Sequence, residues 1–323
     1  MKEMMFTQAE NQAFDEEMAR DPDVFIMGED IGPHWGGPFG QFRGLYEKYG
    51  KERVRETPVA EKSILGGAIG AAAAGMRPCA AMMFVDFLGC AFDEMINQLQ
   101  MRYMFGGKIK LPLTILAGTG AGRSTAAQHS KSMLGLLMGV KGLKIVIPST
   151  PYDAKGLLKS SIRDDNPVLF LSHKMSTPVK SQIPDGEYLI PLGQADVKRE
   201  GKDVTVVAMS YMVQVALSAA ATLESQGISA EIVDPRTLIP LDKKTILDSV
   251  KKTGRLVVIS EEPKTGSSAC QVAAMVAEEG FDYLDAPILT VCSPDTPVPF
   301  SPVLEKYWVP GEASLIKAIK GMM

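Results

Sequence analysis

Short, almost wholly apolar runs alternate along this chain with longer stretches of helical period. VFIMGE (24–29), CAAMMFVDF (79–87), LPLTILAG (111–118), KIVIPS (144–149) and PVLFLS (167–172) are apolar at most successive positions, the pattern of strands buried on both faces rather than one. Helices are predicted between them. From Lys174 to Gly201 the pattern lapses into a segment carrying Pro178, Pro184 and Pro191, where the chain is expected to pass between domains. Alternation resumes with DVTVVAMS (203–210), AEIVDPR (230–236), RLVVISEE (255–262) and PILTVCS (287–293), with helices expected over 212–226, 242–252 and 266–280. The prediction is an α/β protein of two parallel-sheet domains, 1–176 and 203–323, joined by a linker over 177–202.

Within the first domain, ETPVAEKSILGGAIGAAAAGMRP (56–78) is unusual. Thr57-Pro58 reads as a cap followed by a proline at the first helical position. The helix it opens carries Gly66, Gly67, Gly70 and Gly75, each costing about 1 kcal/mol against alanine unless close packing offsets it. That composition calls for something that approaches the backbone closely. Near the helix start stands one acid, Glu61. It is either an ordinary complement to the helix dipole or, in a dry crevice, a group whose pKa rises enough for it to hold or pass a proton.

Composition narrows the function classes. The chain has 323 residues, 46% of them hydrophobic, enough for two cores, and its polar N-terminal stretch and lack of a long uncharged apolar run lead to the expectation of a soluble, cytoplasmic protein without a membrane role. A net charge of −4 argues against nucleic-acid binding. Cys79, Cys90, Cys270 and Cys292 form no CxxC pair and are expected to be buried thiols. One stretch departs from the average: between Met95 and Tyr152 there is no Asp or Glu, while Arg102, Lys108, Lys110, Arg123, Lys131, Lys141 and Lys144 are present. It predicts either a positive face for an acidic partner or a run neutralised by carboxylates from elsewhere.

Other motifs exclude more than they assign. GTGAG (118–122) follows a strand, but it is not GxGxxG and no acid follows before Asp153, so it is read as a glycine-rich turn rather than a dinucleotide site. There is no GxxxxGK[ST] loop. The three histidines, His34, His129 and His173, lie in no metal-helix pattern. His129 follows the glycine turn at a strand's carboxyl end, where open α/β sheets place their sites.

Together RVRETPVAEKSILGGAIGAAAAGMRP, DFLGCAFDEMINQLQMRYMFGG, AAQHSKS, GLKIVIPSTPYDAKGLLKSSIRDDNPVLF, DPRTLIPLD and SVKKTGRLVV resemble the beta subunit of the thiamine-diphosphate-dependent first component of 2-oxo acid dehydrogenase complexes, over nearly the whole chain. YMFGGK, DPRTLIPLDKKTIL and PVPFSPVLEK most resemble the acetoin dehydrogenase subunit. The resemblance implies a transketolase-like pyrimidine-binding domain followed by a transketolase C-terminal-type domain. It implies an oxidoreductase acting on an oxo group with a lipoamide disulfide as acceptor, and a small 2-oxo acid or acetoin as substrate. Glu61 then matches the glutamate that hydrogen-bonds the pyrimidine nitrogen of thiamine diphosphate, Phe87 the aromatic packed on that ring, and Val59 and Met83 positions beside it. His129 matches a histidine that helps hand the acyl group to a lipoyl group.

The same resemblance implies partners. No GDG magnesium motif occurs in the chain, so an alpha subunit is expected to bring the Mg²⁺ and diphosphate half of the site in an α2β2 tetramer that serves a lipoyl-bearing acyltransferase core. The glycine-rich helix would lie at a subunit contact. Leu113, Ser161, Ile162, Asp164 and Asn166 align with the ligands of a structural potassium ion. Three positions depart from the family: Ala81 stands in place of an acid, Ala117 of an arginine and Ser172 of a glutamate. The C-terminal half of a split transketolase and a weakly catalytic scaffold paralogue are the alternative readings.

Overall fold

The computed structural model describes residues 1–323 and divides into two compact units, 1–119 with 140–192, and 120–139 with 193–323. In the first, strands β1 (Lys2–Met5), β2 (Val24–Gly28), β3 (Val54–Glu56), β4 (Arg77–Phe84), β5 (Thr114–Thr119), β6 (Lys144–Val146), β7 (Val168–His173) and β8 (Lys180–Ile183) alternate with helices α1 (Phe6–Arg20), α2 (Leu45–Tyr49), α3 (Glu61–Ala73), α4 (Phe92–Ile96), α5 (Met101–Met104) and, after α6 (Leu134–Met138) of the other unit, α7 (Pro151–Arg163). The central strands run parallel in the order β6-β7-β5-β4-β2-β3. Val24, Ile26, Cys79 and Phe170 pack from the sheet against Phe14 of α1 and Leu157 and Leu158 of α7. Phe14 meets Phe42 at 5.1 Å between ring centroids.

The second unit holds α6 (Leu134–Met138), β9 (Asp196–Arg199), β10 (Val204–Ala208), α8 (Met212–Glu224), β11 (Ala230–Asp234), β12 (Thr237–Ile239), α9 (Lys243–Thr253), β13 (Leu256–Pro263), α10 (Ser268–Glu279), β14 (Leu289–Ser293), α11 (Pro302–Trp308) and α12 (Glu312–Met322). Its sheet order is β14-β13-β10-β11-β9, with only β9 antiparallel. Val204, Val206, Ile232, Val257 and Ile259 form its core with Ala216 and Leu223 of α8 and Leu315 and Ile319 of α12.

Several sequence expectations change. The segment 177–202 is not a plain linker: it contributes β8, paired antiparallel with β1, and β9, paired with β11. Residues 120–139 pack with the second unit although they follow β5. Thr57 does not cap a helix; its hydroxyl donates to the Pro58 carbonyl at 3.0 Å, and α3 begins at Glu61 itself. Gly75 lies past the helix rather than in it. With φ of +100°, it lets the Met76 N–H reach Ala71 O at 3.1 Å and its own N–H reach Ala72 O at 3.0 Å, a closure that L residues resist. Of the cysteines only Cys79 is fully buried, and Cys90 is exposed.

Candidate active site

Strands β2, β4, β5 and β7 are neighbours, and their carboxyl ends enclose one small cavity, the place where open parallel sheets gather functional groups. Glu29 follows β2, Ala81 and Met83 come from β4, Leu116, Ala117 and Gly118 from β5, and Ser172 from β7. Pairing puts Ala81 beside Leu116 and Gly118 beside Ser172. Phe39 and Glu10 of α1 close it, leaving about 20 Å³, room for about one water. Ala81, Ala117 and Ser172, the three positions singled out in the sequence, therefore face one space.

Sequence reading missed the two acids that remain there. Glu10 is 3% exposed, and the Ser172 hydroxyl donates to it. Burial pushes its pKa up to about 7, more than that hydrogen bond lowers it. Glu29 is also buried, and its pKa is raised first by desolvation and then by the charges of Glu61 and Asp30. A glutamate that is the fifth residue of α1 gives no sequence sign that it will point beneath four strand ends.

Glu61 is the first residue of α3 and is half-exposed. Val59 before it is 74% exposed. Met83 holds a φ of +49° at the end of β4, a conformation that non-glycine residues rarely adopt. It turns the chain into a 3-10 segment, Val85–Ala91, carrying Phe87. Phe87 meets Phe84 edge-on at 5.9 Å, and Phe84 meets Phe39 at 6.1 Å. Glu61, Val59, Met83 and Phe87 thus all belong to the first unit. Side chains added at Gly66 and Gly67 would meet only Glu94 at 3.7 Å and Met27 at 3.5 Å, and one at Gly70 would meet nothing within 4 Å. No part of this chain makes the close approach that the glycines permit.

His129 belongs to the other unit. Its loop is closed at the base by the Gly120 N–H donating to Lys131 O at 3.0 Å, and within it the Thr125 hydroxyl donates to the His129 carbonyl at 3.2 Å. A cavity of about 570 Å³ in this unit is lined by Lys131 and Leu136 from the loop segment and by Glu262, Asp295, Val298 and Trp308. His173 is buried, its Nδ1 accepting from the Met175 N–H at 3.1 Å, a structural role.

The potassium-aligned residues do converge, but their oxygens are engaged. Arg77 donates to the carbonyls of Ile162 and Asp164, both at 3.1 Å, Val168 N–H to Leu113 O at 2.9 Å, and Asp164 N–H to Ser161 O at 3.2 Å. Arg102 donates to the Asn166 side chain, and Lys144 pairs with Asp164. As arranged, the Arg77 guanidinium sits against two of these carbonyls, where a potassium ion would have to displace it. The same contacts, with Lys110–Asp165 at 2.7 Å, neutralise part of the acid-free run, so its charge is not one continuous face.

Two family models account for nearly all of the chain: the transketolase pyrimidine binding domain over residues 2–180 and the transketolase C-terminal domain over 193–315. The fold is thus that of a transketolase-type pyrimidine-binding domain followed by a transketolase C-terminal domain. A solved structure titled "Split gene transketolase, inactive beta4 tetramer" superposes with a TM-score of 0.81 at 24% identity, covering 98% of this chain and 97% of its own, which shows the fold alone.

Sequence relatives define the family more narrowly. The chain is 49% identical to the acetoin:2,6-dichlorophenolindophenol oxidoreductase subunit beta of Cupriavidus necator over 97% of this chain and 95% of the relative. It is 46% identical to the 2-oxoisovalerate dehydrogenase subunit beta of Bacillus subtilis over 96% and 95%. With the pyruvate dehydrogenase E1 component subunit beta of the same organism the identity is 42%, over 100% and 99%. The chain belongs to the family of beta subunits of 2-oxo acid and acetoin dehydrogenase first components, oxidoreductases whose membership implies thiamine diphosphate as cofactor.

Proposed function

We propose that this chain supplies the pyrimidine-activating half of a thiamine-diphosphate site that acts on acetoin or a small 2-oxo acid and passes the acyl group to lipoyl groups. Glu61 carries the reading: a carboxyl at the start of a glycine-rich helix, half-exposed, in the same unit as Val59, Met83 and Phe87. Thiamine diphosphate, when bound, supplies the thiazolium carbon that takes up the substrate's carbonyl carbon. Glu61 holds a proton at the pyrimidine nitrogen, Phe87 packs on the ring, and Val59 and Met83 border it. Glu29, whose pKa is raised by burial and then by the charge of Glu61, is a second carboxyl that interacts with Glu61.

The bare glycine face of α3 supports a partner seated against it. An alpha subunit completes the site with Mg²⁺ and the diphosphate contacts, in an α2β2 tetramer beside a lipoyl-bearing acyltransferase core. His129 assists the transfer to lipoyl, and the complex works in the cytoplasm; no helix of the chain is long and apolar enough to cross a membrane. The 49% identity to an acetoin enzyme subunit favours acetoin.

Glu61→Gln tests the reading. The variant keeps the side chain's shape, so folding and assembly with the alpha subunit are expected to persist while turnover falls about 10²-fold or more, the scale of lost acid–base assistance. Near-normal turnover in the reconstituted complex would leave Glu61 as a helix-start acid only.

A further inference from the structure

The loop that carries His129 is held to the C-terminal unit by carboxylates on its backbone. The Ala121 N–H donates to Glu261 at 2.6 Å. Those of Gly122 and Ser124 donate to the two oxygens of Glu305 at 2.9 and 2.8 Å, and the Ser124 hydroxyl adds a bond at 3.3 Å. Beyond the loop, the Gly135 N–H donates to Glu262 at 2.6 Å. These acids are 3–4% exposed; bonds to an ionised carboxylate are about twice as strong as neutral ones, and at Glu262 burial raises the pKa more than the bonds it accepts lower it.

What they hold is strained. Ser124 and Ala126 have φ of +52° and +58°, conformations costing on the order of 1–3 kcal/mol that persist only when neighbours over-determine them. Glu305 does so at Ser124, gripping the amide on each side of Arg123. Ala121 is fixed as well by apolar packing with Val298 and with Trp308 of α11, the helix that bears Glu305. At the far end, a Cβ on Gly135 would fall 1.9 Å from the Gly266 carbonyl oxygen, so only glycine allows the approach that brings its N–H to Glu262.

We infer that Glu305, with Glu261 and Glu262, is a positioning residue for His129: the C-terminal unit sets the loop's conformation through backbone amides and thereby controls acyl transfer rather than cofactor activation. The inference rests on the transfer role proposed for His129. Its test joins a structural and a kinetic readout.

In the full chain, Glu305→Ala is expected to speed amide hydrogen exchange at Gly122 and Ser124 by about tenfold or more, with β13 unchanged and Glu305→Gln, which keeps volume and one acceptor oxygen, in between. In the complex reconstituted with its alpha subunit, the Ala variant should lower acyl transfer to a free lipoyl domain by about tenfold or more and leave dye-linked turnover unchanged. Unchanged exchange in both variants would overturn the inference, as would faster exchange with normal transfer when His129→Ala is impaired. A His129→Ala variant with full transfer would remove the histidine's role, and the positioning role with it, even if exchange still responded.

Discussion

Replacing Glu10 by Gln should stabilise this protein in alkaline solution and do almost nothing in acid. Glu10 is fully buried at the strand ends, and its pKa is raised from 4.5 to about 7. No cation relieves it: across the α1–α7 interface Lys155 and Lys159 are bound by Glu16 at 2.7 and 2.6 Å, and Arg163 by Glu17 at 2.7 Å. The nearest relief is the neutral Ser172 hydroxyl. An acid with a raised folded pKa binds more protons folded than unfolded between the two values, so stability is fullest below about pH 4.5, falls as pH rises, and levels above about 7. A shift of about 2.5 units at 1.36 kcal/mol per unit gives roughly 3 kcal/mol.

Gln cannot ionise but keeps the size of the side chain and an acceptor for Ser172. The difference between variant and wild type should therefore grow from near zero at about pH 4.5 to about 3 kcal/mol at pH 8–9. For a unit of this size that is a rise in Tm of roughly 6–12 °C. Differential scanning calorimetry of both chains across this pH range measures it, with every other titrating group cancelling in the difference. A gap that stays constant with pH would refute the reasoning, because it would mean that Glu10 carries the same charge folded and unfolded.

Two further outcomes follow from the loop and from the potassium-aligned residues. Lys131 is exposed on the His129 loop, its ammonium donating to Ala127 O at 2.7 Å, and Lys131→Glu should slow acyl transfer to an acidic lipoyl domain most at low salt while sparing dye-linked turnover; equal loss in both assays would place it in the chemistry or the fold. Exchanging NaCl for KCl should leave the Tm of the chain unchanged, since Arg77 already donates to the Ile162 and Asp164 carbonyls, whereas a potassium-specific rise of several degrees would mean that the ion displaces the guanidinium.

The sequence by itself determined the sheets. Val168–His173 and Val204–Ala208 are buried along their length save for half-buried Ser172, and a strand covered on both faces must be apolar at most positions, which makes it visible without its partners. Glu61, Phe87 and His129 could be singled out as candidates because the motifs that carry them are contiguous. Lys180–Ile183 and Asp196–Arg199 stayed hidden, since β8 is largely exposed and β9 half-buried, and pairing at a sheet edge leaves no hydrophobic alternation to read. Tertiary structure alone decided that Glu10 meets Ser172 from 162 residues away and that Glu305 grips Ser124 from 181. A buried carboxyl takes its proton affinity and its hold on a loop from desolvation and from the amides or hydroxyls within bond reach. Both are properties of where the chain returns in space, which no local spacing encodes.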